Sequence, residues 1–474
     1  MSGSFDASIA TASYNQDFTH VIVATRSGYA VHSTEDGQRQ RSDDTLGALR
    51  HVEMLFSSSL LCVVGEGDVH SMSPRRIKVL DARLRRVLGE IRCASTVTRV
   101  RLNRARVVAR EATRVTIHEL GTLRALQTME TANDPLGLLA LSAEAESSVL
   151  AYADGCVVKA HDALNLCGLC EVRPHRSALA AIALNADGTM LATASVRGTV
   201  IRVTALPSGT KCWSFRRGAT SSAIQSLNFG ATTFQPPLLC VSSDKGTAHV
   251  FAIEGEPREA DWNEGQREGE TSTASGSTTS AAAVSDALNR SRAGVFGRIA
   301  TFAGAAVTGI SSRVQPGKVI AAARNAMEPA RAIATVKLPH TASTKWSLCA
   351  LQPTKGTSAD KWAPPPLDSS QPERQLEAQL SVVTSDGVFY DYNVRLSSDR
   401  AGFFSRGDAK EAVARLEREC KLVDEVHDAT FGSGSTVGEL PRDGRWIESR
   451  GASDDVQELR TNVSESMSQS MFDA

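Results

Sequence analysis

A short apolar run, a small-residue turn and a second alternating run recur along this chain, and that recurrence restricts the fold more than any other feature. The clearest copies are LATASVRGTVIRV (191–203) and LCVSSDKGTAHVF (239–251). Their separation is close to the roughly 40 to 45 residues of one β-propeller blade. The same grammar appears in HVIVATRSGYAVH, LLCVVGEG, RIKVLDA, RARVVAREATRVTIHEL and SSVLAYADGCVVKAHD. These runs are short, rich in β-branched residues and bounded by turns such as Ala153-Asp154-Gly155 and Asp244-Lys245-Gly246, which reads as strands and not helices. The expected class is all-β, a propeller.

The composition changes near Glu254. EGEPREADWNEGQREGETSTASGSTTSAAAVSD is polar, rich in Ser, Thr and Gly, and lacks alternation, as expected of a long flexible insertion over 255–344. Strand grammar resumes at KWSLCALQP and LSVVTSDGVFYDYNV, so the insertion interrupts the propeller without ending it. AKEAVARLEREC reads as a short helix and KLVDEVH as a last strand. The propeller is therefore placed at 14–431, with a flexible start over 1–13 and a disordered tail over 432–474.

Apolar residues make up 41% of the chain and charged residues 22%, enough to build a sizeable core, and the formal net charge is −1. No global field draws such a protein to nucleic acid or to an acidic bilayer, so anion binding must be local. The opening Met-Ser-Gly-Ser-Phe-Asp has no basic flank or apolar stretch, and no window approaches the length of a membrane span, which predicts a soluble, intracellular protein. The cysteines are scattered, which predicts reduced thiols; Cys167 and Cys170 lack a second ligand pair for zinc and are expected to be buried blade residues. Asp43-Asp44 and Asp454-Asp455 are expected to be solvated. No nucleotide-binding or hydrolase motif is present, so neither an enzyme nor a cofactor is expected.

The residues that suggest chemistry are Arg216 and Arg217 in Phe215-Arg216-Arg217-Gly218. They follow a strand-like WSF, and adjacent residues of an extended chain point to opposite sides, so the pair serves two different surroundings. The guanidinium fork matches phosphate bidentately and stays charged at cellular pH. Upstream lie His175 and the run Thr193 to Arg202; downstream lies Ser243 to His249. Both flanks offer hydroxyls, a turn glycine and a histidine. On composition alone, surface charges beside a turn and residues that shape hairpins account for the same pattern.

The signature and its flanks, HRSALAAIALNADGTMLATASVRGTVIRV and SSDKGTAHVF, closely resemble the PROPPIN family of seven-bladed, WD-repeat-type propellers. The resemblance extends to NQDFTHVIVATRSGYAVH, VRLNRARVVA, LQTMETANDPLGLLALS, KWSLCALQP and VVTSDGVFYDY. It implies seven blades and two headgroup pockets. One comprises His175, Thr193, Ser195, Gly198, Thr199, Arg202 and Arg216; the other comprises Arg217, Ser243, Thr247 and His249. The implied ligands are phosphatidylinositol 3-phosphate and phosphatidylinositol 3,5-bisphosphate, bound without chemistry. The implied setting is autophagy and vesicle traffic, with a cytoplasmic protein recruited peripherally to preautophagosomal, endosomal and vacuolar membranes, where it engages autophagy or trafficking proteins. Val196-Arg197, Thr204 and Ala219-Thr220 depart from the family pattern and bear on headgroup preference. A propeller of the same architecture that binds only peptide partners is the alternative.

Within the insertion, Val295, Phe296, Ile299, Phe302 and Ile310 fall on one arc at helical spacing, which predicts an amphipathic helix over 294–313. The opposite arc is small and weakly polar, and its glycines disfavour a helix in water, so folding would accompany insertion at a membrane. The family carries a membrane-inserting loop in the blade after FRRG, where this segment lies. If His175 and His249 touch phosphate, binding should strengthen between about pH 7 and 6 as they protonate.

Overall fold

The computed structural model describes residues 9–260, 329–339, 344–354, 362, 374–398 and 414–422. They form a seven-bladed β-propeller, each blade built on four antiparallel strands. Blades 1 to 5 occupy residues 11–43, 49–92, 97–130, 139–172 and 179–216; blade 7 occupies 347–421. Blade 6 takes three strands from residues 224–252 and its fourth, Ala334–Lys337, from beyond residues 261–329. The blades' first strands face the axis, where they line a cavity of about 530 Å³.

The alternation read in the sequence becomes packing between blades. In blade 5, Ala192, Ala194, Ile201, Val203 and Phe215 meet Leu227, Leu239, Val241 and Phe251 of blade 6. The Phe215 and Phe251 rings lie 5.4 Å apart between centroids. Full burial of each such side chain contributes roughly 1.5–3 kcal/mol, so truncating Phe215 at this joint costs about 3–5 kcal/mol. The intervening positions of the blade 5 strands are thereby turned the other way, towards blade 4, which fixes where its polar residues go.

Among the described residues the ring closes without a shared strand. All four strands of blade 7 come from residues 347–421 and all four of blade 1 from residues 11–43. The seam is packed by Ile9, Val21, Val23 and Ala30 against Val383, Phe389 and Leu422. Arg418 donates to the Glu35 carbonyl at 2.6 Å and Gln352 to the Asp17 carbonyl at 3.1 Å.

Five expectations need correction. Residues 414–420 of the predicted helix are strand, within Ala414–Lys421, paired with Val388–Ser398. Pairing to an existing sheet overrides the helix propensity of Ala, Leu and Glu there. Residues 334–337, inside the expected insertion, are the outermost strand of blade 6, and residues 11–13, in the expected flexible start, belong to the first strand of blade 1. Asp43 is buried, accepting from the Thr45 N–H and hydroxyl at 3.0 and 2.6 Å; it terminates a strand where a solvated loop was expected. Cys167 is exposed on the outer strand of blade 4, Cys170 is half-buried, and all nine cysteines are free. The predicted helix over 294–313, with Val295, Phe296, Ile299, Phe302 and Ile310, and the tail over 432–474 lie outside the described residues. Among the described residues no helix is long and apolar enough to cross a membrane.

Candidate functional site

The fourth strand of blade 5, Lys211–Arg216, pairs Phe215 with Ile201 and Arg216 with Val200. Phe215 enters the core shared with blade 6. Arg216 therefore projects towards blade 4, and the chain turns after it so that Arg217 meets blade 6. A single residue step separates two opposed guanidinium groups.

On the blade 4 side, Thr193, Arg202 and Ser214 stand in one row across three strands. His175, from the connection between blades 4 and 5, places Nε2 3.1 Å from the Thr193 hydroxyl, which donates in turn to the Arg202 carbonyl at 3.3 Å. The Arg202 guanidinium is tied to the Pro174 carbonyl. His175, Thr193 and Ser195 are buried, Arg202 is half-buried and Arg216 is exposed. This gives a buried hydroxyl and imidazole floor under an arginine rim.

On the blade 6 side, the Ser243 and Thr247 hydroxyls are 2.9 Å apart, and the Thr247 hydroxyl lies 3.2 Å from His249 Nε2. His249 Nδ1 lies 3.1 Å from the Thr335 hydroxyl. The chain Ser243–Thr247–His249–Thr335 faces blade 5, because His249 shares its row with Val241 of the joint between blades 5 and 6. Arg217 is half-buried, donating from Nε to the Gly198 carbonyl at 2.6 Å and from an Nη to the Thr220 carbonyl at 2.5 Å.

Gly198 joins the two clusters. Its φ is +59°, and a Cβ there would lie 1.9 Å from the Ser222 carbonyl oxygen, so no other residue fits without displacing backbone. The Thr199 carbonyl accepts the Arg217 N–H at 3.0 Å. Gly198 and Thr199, assigned by resemblance to the first pocket, thus also hold the arginine of the second. The Ser222 N–H donates to the Arg197 carbonyl at 3.1 Å, Lys245 Nζ donates to the Thr220 hydroxyl at 2.7 Å, and the Ser222 hydroxyl donates to Asp244. These bonds fasten the connection after FRRG to the hairpin turns on either side.

Both histidines are neutral at pH 7. Burial, helped by the nearby Arg202 charge, lowers His175 to about 4; burial and Arg217 lower His249 to about 4. The expected gain near pH 6 to 7 therefore does not come from rings already charged in the unliganded protein: a phosphate must first raise their pKa. Burial also lowers the pKa of Arg217, opposed by Asp244, which brings a negative charge to the second cluster.

The structure thus gathers His175, Thr193, Ser195, Arg202 and Arg216 on one side and Arg217, Ser243, Thr247 and His249 on the other, with Gly198 and Thr199 between. Sequence reasoning missed Thr335, read Thr220 only as a departure from the family pattern, and gave Asp244 and Lys245 no role beyond the turn of their flank. Thr335 reaches His249 from 86 positions away and has no local signal. None of these pocket residues lines the axial cavity, and no metal-binding cluster occurs among the described residues.

The PROPPIN family model matches residues 8–327. Autophagy-related protein 18 of Aspergillus terreus is 30% identical over 429 residues, covering 83% of this chain and 98% of that protein. The protein of the same name from Dictyostelium discoideum is 36% identical over 254 residues, 53% of this chain and 67% of its own length. The structure of Kluyveromyces lactis Hsv2 superposes with a TM-score of 0.55 at 15% identity, covering 88% of this chain and 99% of that one. KlAtg21, solved in complex with the coiled-coil of AgAtg16, gives 0.54 at 18% identity with the same coverage. Together with the seven blades and the intact FRRG strand, these matches place the chain in the PROPPIN family, among relatives named for autophagy.

Proposed function

We propose that this protein is a phosphoinositide effector: it binds the headgroups of phosphatidylinositol 3-phosphate and phosphatidylinositol 3,5-bisphosphate on autophagosomal and endolysosomal membranes and recruits autophagy proteins there. The observation that carries this reading is the opposed placement of Arg216 and Arg217, each beside its own cluster of histidine and hydroxyl groups. Guanidinium supplies charge and a bidentate fork, hydroxyls supply adaptable donors, and a histidine that gains a proton on binding adds a further donor. Two weak headgroup contacts act together by effective concentration, which raises affinity about 10² to 10⁴-fold. The amphipathic segment over 294–313 would supply a third contact through Phe296, Ile299 and Phe302.

The test is co-sedimentation with phosphatidylcholine vesicles with and without phosphatidylinositol 3-phosphate. The wild type is expected to sediment only with the phosphoinositide, and Arg216→Gln with Arg217→Gln to remain in the supernatant. Equal sedimentation of wild type and double variant rejects the reading and favours a propeller that binds peptides alone. Replacing Phe296, Ile299 and Phe302 by Ser should weaken vesicle binding and leave affinity for the soluble headgroup unchanged; equal loss of both rejects that division of labour.

A further inference from the structure

Blade 5 does not end at Lys211–Arg216. Two short strands from either side of residues 261–329 lengthen its sheet: Arg258–Glu259 pairs antiparallel with Cys212 and Lys211, and Ala330–Arg331 pairs parallel with Phe215 and Arg216. Trp213 Nε1 donates to the Gly255 carbonyl at 3.0 Å and helps hold the incoming stem. Blade 5 thus carries both stems of a segment that chain order assigns to blade 6.

Paired residues in a sheet share a face. Arg331 is paired with Arg216, Arg258 with Cys212, and Arg202 with Ser214. Cys212, Ser214 and Arg216 alternate along one strand, so Arg202, Arg216, Arg258 and Arg331 all belong to the face turned towards blade 4. Two further facts fit this assignment. Ala330, one residue from Arg331, packs with Phe215 on the opposite face. The charges of both Arg202 and Arg258 act on Cys212. The other face pairs Glu259 with Lys211, so the acid of that stem points away.

We propose that Arg331, paired beside Arg216, and Arg258, on the same face four strand positions away beside Cys212, extend the first pocket into a broader phosphate-binding face that engages a further phosphate. This rests on the headgroup reading of the first pocket. Arg216, Arg258 and Arg331 are exposed, and each also interacts with other groups of the protein, so phosphate competes for them as it does for Arg202. The further phosphate belongs either to the same inositol ring or to a neighbouring anionic lipid. Either source makes headgroup affinity depend on Arg258–Glu259 and Ala330–Arg331 being paired with the fourth strand of blade 5.

The experiment compares wild type, Arg216→Gln, and Arg258→Gln with Arg331→Gln. Each is titrated with soluble inositol 1,3-bisphosphate and inositol 1,3,5-trisphosphate, and with phosphatidylinositol 3-phosphate vesicles lacking or containing phosphatidylserine. The stem variant is expected to lose about fivefold or more affinity. Loss for the soluble trisphosphate identifies a second phosphate on the same ring; loss confined to vesicles with phosphatidylserine identifies a neighbouring lipid, and both support the proposal. Unchanged affinity of the stem variant in every arm, with Arg216→Gln still weakened, overturns the extension and leaves the pocket standing. No binding by the wild type in any arm overturns both.

Discussion

The two arginine clusters use the same chemical parts but hold them differently. Arg216 stands exposed over a buried imidazole and hydroxyl floor, whereas Arg217 is half-buried with its donors engaged by the Gly198 and Thr220 carbonyls and Asp244 close by. A phosphate entering the first site meets a charge at the surface. One entering the second meets a half-buried guanidinium and must oppose a carboxylate, which costs part of what the guanidinium supplies. Chemical likeness between sites therefore does not imply equal affinity; the arginine's burial and the charge beside it set the order.

The largest effect should come from Gly198→Ala. The Cβ collides with the Ser222 carbonyl at a positive φ, so the turn that supports both clusters must move. The expected cost is several kcal/mol of stability with loss of headgroup binding at both sites, read by thermal unfolding and by titration. A stable variant that loses only one site would show that the turn does not join them.

Next come the single arginine changes. Arg216→Gln should weaken soluble headgroup binding at the first site by about tenfold or more, and Arg217→Gln should weaken the second site by less, because Asp244 already opposes a phosphate beside it. Calorimetric titration resolving two sites checks this, and equal losses would break the contrast between them.

A smaller effect should follow pH. With both rings near 4 in the free protein, affinity should be flat at alkaline pH and rise once pH falls below the pKa that bound phosphate imposes, by at most about tenfold per unit for each ring. A rise that continues in the double variant His175→Gln, His249→Gln would assign it elsewhere. Stability runs the opposite way. A histidine lowered from 6.5 to about 4 on folding lets the unfolded chain take the proton first, so its contribution is full above pH 6.5 and is lost as pH falls towards 4. The smallest effect is expected from Asp244→Asn, which should strengthen the second site about two- to threefold by removing a like charge from beside the phosphate. No change would mean that Asp244 does not oppose the ligand.

The parts legible in the sequence are those where a strand has a neighbour on both sides. In Met190–Ser195 and Leu238–Ser243 almost every side chain is buried, and the run stands out by composition. Outermost strands pair on one side and face solvent on the other. Ala414–Lys421 carries Arg415, Glu417, Arg418 and Glu419, a pattern indistinguishable from a polar helix until the sheet beside it exists. Ala334–Lys337 has four residues and no turn signal, and was hidden in the insertion for the same reason. At the site, strand alternation was enough to send Arg216 and Arg217 apart. It could not show that Thr335 completes the His249 chain or that Arg331 lies beside Arg216, because those neighbours are set by long-range pairing.

The seam between blades 7 and 1 has a consequence for how the ring opens. Among the described residues no strand is handed across it, and its two sheets meet through Ile9, Phe389, Leu422 and their neighbours. When the ring does yield, it should part there as a clean opening of apolar faces, with every blade keeping its own hydrogen bonds.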